Sequence, residues 1–181
     1  MPHLHEGPGQ HDLTASAFIV RTDDQEPTVI LHLHRKIGRL MQFGGHIELD
    51  ETPWQGLARE LREESGYDLD QLAVLQPPAR FGRQFEAAVM HPLPFYFNTH
   101  RFKPGVEHFH SDLTYAMLAT QAARHPIGEG ESAAIHRFTA AQITALPDDE
   151  IYDVTRASAL YILEHLMSAW DVVPAQEWVT K

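Results

Sequence analysis

Apolar positions change their period along the chain, and the changes mark its elements. Leu13–Val20 (LTASAFIV) and Thr28–His34 (TVILHLH) are short, apolar-rich and β-branched, which predicts two strands with the polar stretch RTDDQEP as the turn between them. RLMQF leads into Gly44-Gly45, and HIEL after it predicts one more short strand. The period then becomes helical: Trp54, Leu57, Ala58 and Leu61 recur at i, i+3, i+4 and i+7 and form one apolar stripe. Thr52 suits the N-cap, Pro53 the first helical position, Gln55 completes a capping box, and Gly66 is a stop signal. Beyond the Pro77-Pro78 connection, FEAAVMH, PFYFNTH, SDLTYAMLA and SAAIHRF read as strands, TAAQITAL as a short helix, and YDVTRASALYILEHLMSAW as a long amphipathic helix. Mixed strands with a few helices predict an α/β layered domain over residues 13–172. Residues 1–12 read as a loose N-terminal arm and 173–181 as a C-terminal tail.

Composition narrows the function. The chain has 181 residues, enough for one domain with a substantial core, and 43% of them are hydrophobic. No apolar run approaches the ~18 residues of a membrane span, and the first residues carry no secretory pattern, so a cytoplasmic protein with no membrane partner is expected. There is no cysteine, which excludes disulfides, thiolate metal sites and cysteine nucleophiles. Fourteen basic residues against 25 acidic ones give a net charge of −11, which argues against a nucleic-acid partner but leaves room for a local basic pocket.

The helix that starts at Pro53 concentrates acid. Glu60, Glu63 and Glu64 lie at i, i+3 and i+4 and point to one side, next to the apolar stripe. Like charges about 5–6 Å apart repel by a few kcal/mol at an effective dielectric near 20. Arg59 and Arg62 relieve part of this by i, i+4 pairing, for example Arg59 with Glu63, and a solvated surface helix laced with ion pairs is the simplest reading of the charges alone.

The spacing says more. Gly45, five residues, Glu51, seven residues, then Arg59-Glu60-Leu61-x-Glu63-Glu64-x-Gly66-Tyr67 resembles the signature box of the Nudix family, G-x5-E-x7-R-E-U-x-E-E-x-G-U with U apolar. Every fixed position matches; only Tyr67, where an aliphatic residue is usual, departs. The resemblance implies a Nudix-type α/β/α sandwich with a mixed sheet. It implies an enzyme that cleaves the pyrophosphate of a nucleoside diphosphate linked to another group, acting on a small nucleotide-like substrate with Mg2+ or Mn2+. By the same resemblance Glu63 and Glu64 are the principal metal ligands and Glu60 is a ligand or the base that activates water. Arg59 orients the acids with Glu51 as its ion-pair partner, and the chain around Gly45 brings backbone carbonyls to the metal. In some members the base lies on a later loop, for which Glu107, Glu129 and Glu131 are the candidates. Homodimers are common in the family. An isoprenoid-diphosphate isomerase of this family would need a cysteine that the chain lacks, and a silent regulatory domain would be expected to have a degraded box.

Outside the box the signals are weaker. His46, Arg39 and Lys36 are candidate substrate contacts, and Arg80, Arg83, Arg101 and Lys103 are the other cations near the expected cleft. Gly56 is either an ordinary helix glycine or clearance for substrate. Phe81, Phe85, Phe95 and Tyr96 are either core or stacking surfaces for a base. His32/His34 and His108/His110 are each spaced by two, so each pair shares one face of a strand; two such strands side by side would converge four imidazoles on a transition metal. Residues 76–110 and 121–132 are the loops expected to read the substrate.

Overall fold

A computed structural model describes residues 7–81, 85–102, 105 and 107–178. Its spine is a pair of long strands, β1 (Gln10–Arg21) and β7 (His108–Ala119), parallel and in register from Gln10 opposite His108 to Arg21 opposite Ala119. Each has one free edge, and each divides that edge between two partners. The first half of β1 pairs with β4 (Phe43–His46) and its second half with β2 (Thr28–Leu33). The other edge of β7 takes β6 (Tyr96–Arg101) along its first half and β5 (Leu72–Gln76) at its end. β3 (Leu40–Met41) and β8 (Ile135–Phe138) pair with β2, and β9 (Asp171–Pro174) closes the far edge on β5.

The second halves of β1 and β7 are apolar at consecutive positions because helices cover both faces. One core joins Ala15, Ala17, Ile19 and Met117 to Trp54, Leu57 and Leu61 of helix α1 (Pro53–Ser65). The other joins Phe18, Val20, Leu31 and Leu75 to Ile143 of α2 (Ala140–Ala145) and to Ala159, Ile162 and Leu166 of the last helical segment. That segment, α3, runs Asp153–Tyr161 and continues through a π turn, Ile162–Leu166, into a final turn, Met167–Ala169. The result is the expected α/β/α sandwich. Among the described residues no helix is long and apolar enough to cross a membrane.

Several boundaries differ from the sequence reading. Residues 85–91 (FEAAVMH) form no extended strand, whereas Leu72–Gln76, unassigned in sequence, do. The Gly-Gly pair lies inside β4 and the strand ends at His46, so HIEL is mostly loop. The arm is shorter than expected, since β1 begins at Gln10 and Asp12 is fully buried. Of the expected tail, Val173, Ala175 and Trp178 pack into the α1-side core, and residues 1–6 and 179–181 lie outside the described residues.

Candidate active site

Helix α1 starts and stops where its sequence dictates. The backbone N–H of Gln55 donates to Thr52 Oγ1 at 3.3 Å and that of Thr52 to Gln55 Oε1 at 2.9 Å. Gly66 ends the helix in the left-handed region, φ +74°, and a Cβ there would stand 2.2 Å from the His125 carbonyl oxygen. Between these caps the apolar stripe seats the helix on β1 and β4, and the neighbouring stripe faces Gly44 and Gly45. An alanine Cβ at Gly45 would meet the Glu60 carboxyl carbon at 2.7 Å, so the glycine is what lets this carboxylate lie against the strand. The Gly44 N–H donates to Glu64 Oε2 at 2.8 Å. At Gly56 an added Cβ would come within 3.1 Å of Glu51 Oε2 and 3.3 Å of Ile47 Cα, so this glycine lets the helix pack closely on the loop before it.

Arg59 ties the group together. Its Nε and Nη2 hold the two Glu51 oxygens at 2.8 and 3.0 Å, Nη1 donates to Glu60 Oε1 at 2.7 Å and reaches Glu63 Oε2 at 3.5 Å, and Nη2 also donates to the His46 carbonyl at 2.9 Å. The bidentate fork with Glu51 is the strong form of this pairing, and it holds the Glu51 carboxyl below the usual carboxylate range. The two readings of Arg59 in sequence are both present: an i, i+4 contact to Glu63 and a tighter clasp on Glu51.

Burial divides the three glutamates. Glu60 and Glu64 are 4% and 6% exposed, while the Glu63 side chain is half exposed. Burial pushes the Glu60 carboxyl up, against the pull of Arg59. Burial pushes Glu64 up to about 8, opposed by the Gly44 N–H and reinforced by the charges of Glu60, Glu131 and Glu63. His32 Nε2 stands 4.0 Å from Glu64 Oε2, yet burial, with the charge of His34, lowers its pKa to about 4, so the imidazole is neutral at physiological pH and the contact is no ion pair. Burial therefore disfavours full ionisation of this helix face, and an opposing cation would favour it.

The loop after β7 is strapped to the end of α1. The His125 N–H donates to the Gly66 carbonyl at 3.0 Å and the Gly128 N–H to the Glu63 carbonyl at 2.7 Å. Asp68 receives Arg62, Arg124 and His125 at 2.8, 3.0 and 2.6 Å. Tyr67, the departure from the box, fills an aliphatic role with a buried ring and donates its hydroxyl to the Gln121 carbonyl at 2.8 Å. The strap carries Glu131 toward the acids: its charge acts on Glu60, Glu64 and His34. Glu107 is at the other end of the sheet beside Gly9.

The cationic candidates scatter. Arg39 sits over the Tyr152 ring at 4.6 Å and donates to the Asp148 carbonyl, away from α1. Lys36 is exposed on the β2–β3 turn, where its charge reaches His34. Arg80 pairs with Asp171 and Arg101 lies over Phe109; Arg83 and Lys103 lie outside the described residues. Phe81 and Phe85 stack on each other in the open at 5.3 Å, whereas Phe95 packs against the α3-side core. The His46 side chain turns to the other face of the sheet, with Nε2 3.2 Å from Asp12 Oδ2. Sequence reasoning passed over Gly44 as a donor and His32 as a wall; the doubled glycine was the available signal for the first.

An α/β/α sandwich thus buries paired glutamates on a helix, clasped by one arginine and faced by glycine backbone. The NUDIX domain family model matches residues 11–155, and the chain belongs to that family. It is an enzyme of the family, a pyrophosphohydrolase. A NUDIX family hydrolase from Clostridium perfringens superposes with TM-score 0.68 at 25% identity, over 84% of this chain and 96% of that one. A C. elegans Ap4A hydrolase complex (TM-score 0.58, 14% identity, 86% and 98% covered) and the E. coli dihydroneopterin triphosphate pyrophosphohydrolase (0.56, 15%, 87% and 96%) share the fold. No curated protein matches the chain in sequence.

Proposed function

We propose that the protein hydrolyses a pyrophosphate bond in a nucleoside diphosphate linked to another group, with Mg2+ or Mn2+ held by Glu60, Glu63, Glu64 and the Gly45 carbonyl. The observation that carries this is the buried Glu60–Glu64 pair packed against glycine backbone. Two carboxylates at that depth, one with its pKa near 8, fit a hard divalent ion that prefers oxygen and keeps waters for substrate. Such an ion, when bound, polarises phosphoryl oxygens and neutralises charge as it develops.

The chain's own residues do the rest. Arg59 fixes the Glu60 carboxylate through Oε1, and the Gly44 N–H fixes Glu64. Glu60 is thereby engaged and buried, whereas Glu131 is an exposed carboxylate whose charge reaches the same cluster. Glu131 takes the proton of the attacking water as the new P–O bond forms; the bridging P–O bond breaks, and its electron pair leaves with the departing phosphate group. A general base of this kind contributes about 10²–10⁴-fold.

A hydrolysis screen tests the proposal: nucleoside triphosphates, nucleotide sugars, ADP-ribose, dinucleoside polyphosphates and nicotinamide dinucleotides, with Mg2+ and then Mn2+, products resolved by chromatography. Turnover of one class is expected, reduced at least about 100-fold in Glu63→Gln, which removes a proposed metal ligand and with it part of the charge neutralisation the ion supplies. Glu131→Gln is expected to lower kcat with little change in KM. Metal-independent turnover, or full activity in a folded Glu63→Gln protein, would overturn it.

A further inference from the structure

On the face of the sheet opposite α1, the first halves of β1, β4 and β7 bring imidazoles to a buried carboxylate. The register dictates this. Asp12 is opposite His110 and Gln10 opposite His108 across the parallel β1–β7 pair, and Thr14 is opposite His46 across β1–β4. Paired residues share a face, and alternation puts Asp12, Thr14, His46, His108 and His110 together. Ala15 and Gly45 are on the other face, beneath α1 and its glutamates. The two His-x-His pairs do not meet, because β1 lies between β2 and β7. His110 converges instead with two residues that the sequence reading had not joined to it.

We infer that Asp12, His46 and His110 form a second metal site, one for a divalent transition-metal ion such as Zn2+, with His108 either as a fourth ligand or as the group that orients Asp12. One ligand atom from each of Asp12, His46 and His110 lies within 4.8 Å of the others. His46 Nε2 and His108 Nε2 each stand 3.2 Å from Asp12 Oδ2. Donors about 2.0–2.2 Å from a tetrahedral ion lie roughly 3.3–3.6 Å apart, so the 3.2 Å His46–Asp12 spacing is close to that of two ligands, and the 4.8 Å bound on the set puts the His110 ligand atom within about 1.5 Å of such a spacing. The rings of His46 and His110 meet edge to face at 4.9 Å, and those of His108 and His110 at 5.5 Å. Asp12 is 0% exposed, and a carboxylate buried among imidazole nitrogens is the environment a bound cation stabilises. Three protein ligands leave a position open for water or a substrate oxygen.

Ligand type separates this site from the one on α1. Imidazole selects zinc and its transition-metal neighbours, while carboxylate and carbonyl oxygen select magnesium and manganese. Gly45 and His46 are adjacent in sequence but face opposite sides of β4, so one strand end serves both centres without sharing a side chain.

The test is metal analysis of untagged protein, followed by titration of metal-stripped protein with Co2+, whose visible absorption reports tetrahedral nitrogen-rich coordination. About one equivalent of transition metal per chain is expected, bound in the presence of excess Mg2+. His110→Ala and His46→Ala should weaken Co2+ binding by roughly 100-fold or more, beyond the 10–100-fold typical of outer-shell losses. Glu63→Gln should leave Co2+ binding intact, which keeps this inference independent of the proposed hydrolysis. Asp12→Asn, at a fully buried position, is read only alongside the partly exposed His110→Ala. Absence of stoichiometric binding in the wild type, or a Co2+ spectrum unchanged by His110→Ala and His46→Ala, would overturn the inference.

Discussion

Gly44 and Gly45 are neighbours in one strand, and the structure gives them different reasons to be glycine. At Gly45 the backbone is open to any residue, since its φ is not positive. The three atoms nearest a Cβ there would all belong to Glu60, at 2.7 Å for Cδ and Oε1 and 2.9 Å for Oε2. Heavy atoms settle near 3.5 Å, so the carboxylate must retreat by about 0.8 Å or more. It is a side-chain end and can do so, at the expense of its 2.7 Å bond from Arg59. Gly45→Ala is therefore expected to keep its melting temperature, or to gain a little from a stiffer unfolded chain, while losing on the order of 100-fold in kcat/KM, the usual effect of a ~1 Å misplacement at a reacting centre. At Gly44, φ is +140°, and a Cβ would lie 2.3 Å from the Ala15 carbonyl oxygen and 2.5 Å from Ser16 Cα, both backbone. Neither can yield without parting β4 from β1. The conformation alone costs about 1–3 kcal/mol for a residue with a Cβ, and with the clash the loss is expected to exceed ~3 kcal/mol, roughly 6–12 °C for a domain of this size. Thermal melts followed by circular dichroism, beside turnover of the best substrate from the screen, separate the two effects. A Gly45→Ala protein that melts as early as Gly44→Ala, or one that turns over at the wild-type rate, would refute the reasoning.

Arg59→Lys keeps the charge but cannot hold both Glu51 oxygens, Glu60 and the His46 carbonyl at once; a loss of about 1–3 kcal/mol in urea unfolding is expected with at least a ~10-fold fall in kcat, and an unchanged kcat would remove Arg59 from the positioning role. The Asp68 carboxyl, which burial works to raise, is held below its usual range by His125, Arg62 and Arg124. Its folded pKa is depressed, so its contribution is present at neutral pH and is lost as pH falls through and below the ordinary carboxylate value, where the unfolded chain takes the proton first. The melting-temperature gap between wild type and Asp68→Asn should accordingly narrow progressively as pH falls below about 5 and through the ordinary carboxylate value, and a gap that does not narrow there would show that shape and not charge holds the strap.

The helix was legible because local rules fix it: Thr52, Pro53, Gln55 and Gly66 act within a few residues of themselves, and Glu60, Glu63 and Glu64 fall within about one turn of each other. What failed to show depends on distance along the chain. Leu72–Gln76 is a strand because it lies between β7 and β9, with Ala73 opposite both Leu118 and Pro174; nothing near it in sequence says so. FEAAVMH has the composition of a strand and no partner strand among the described residues. Trp178 reads as a tail residue until the sheet edge it covers is known. The same logic governs the candidate cations: Arg39 and Lys36 were expected near the cleft, but the β2–β3 turn sets Arg39 over Tyr152 and Lys36 near His34.

Periodicity nonetheless carried real information about the histidines. Spacing by two put His108 and His110 on one face, as the structure has them; missing were the neighbouring strand and the reach of β1 back to Gln10, which takes Asp12 out of the expected arm. Once β1 is seen to run parallel to β7 in register, Asp12 becomes the necessary companion of His110, and β4 delivers His46 to the same face. The polar run continues along that face: Thr14, Ser16 and Thr114 donate to Asp112 at 2.7, 2.7 and 2.5 Å, satisfying a second buried carboxylate with hydroxyls. Asp112 accepts from these hydroxyls, and at Asp12 the Nε2 atoms of His46 and His108 each stand 3.2 Å from Oδ2. Two buried aspartates lie on one face, two strand positions apart in register, and the metal site is assigned to Asp12 because imidazole nitrogens from two further strands converge there.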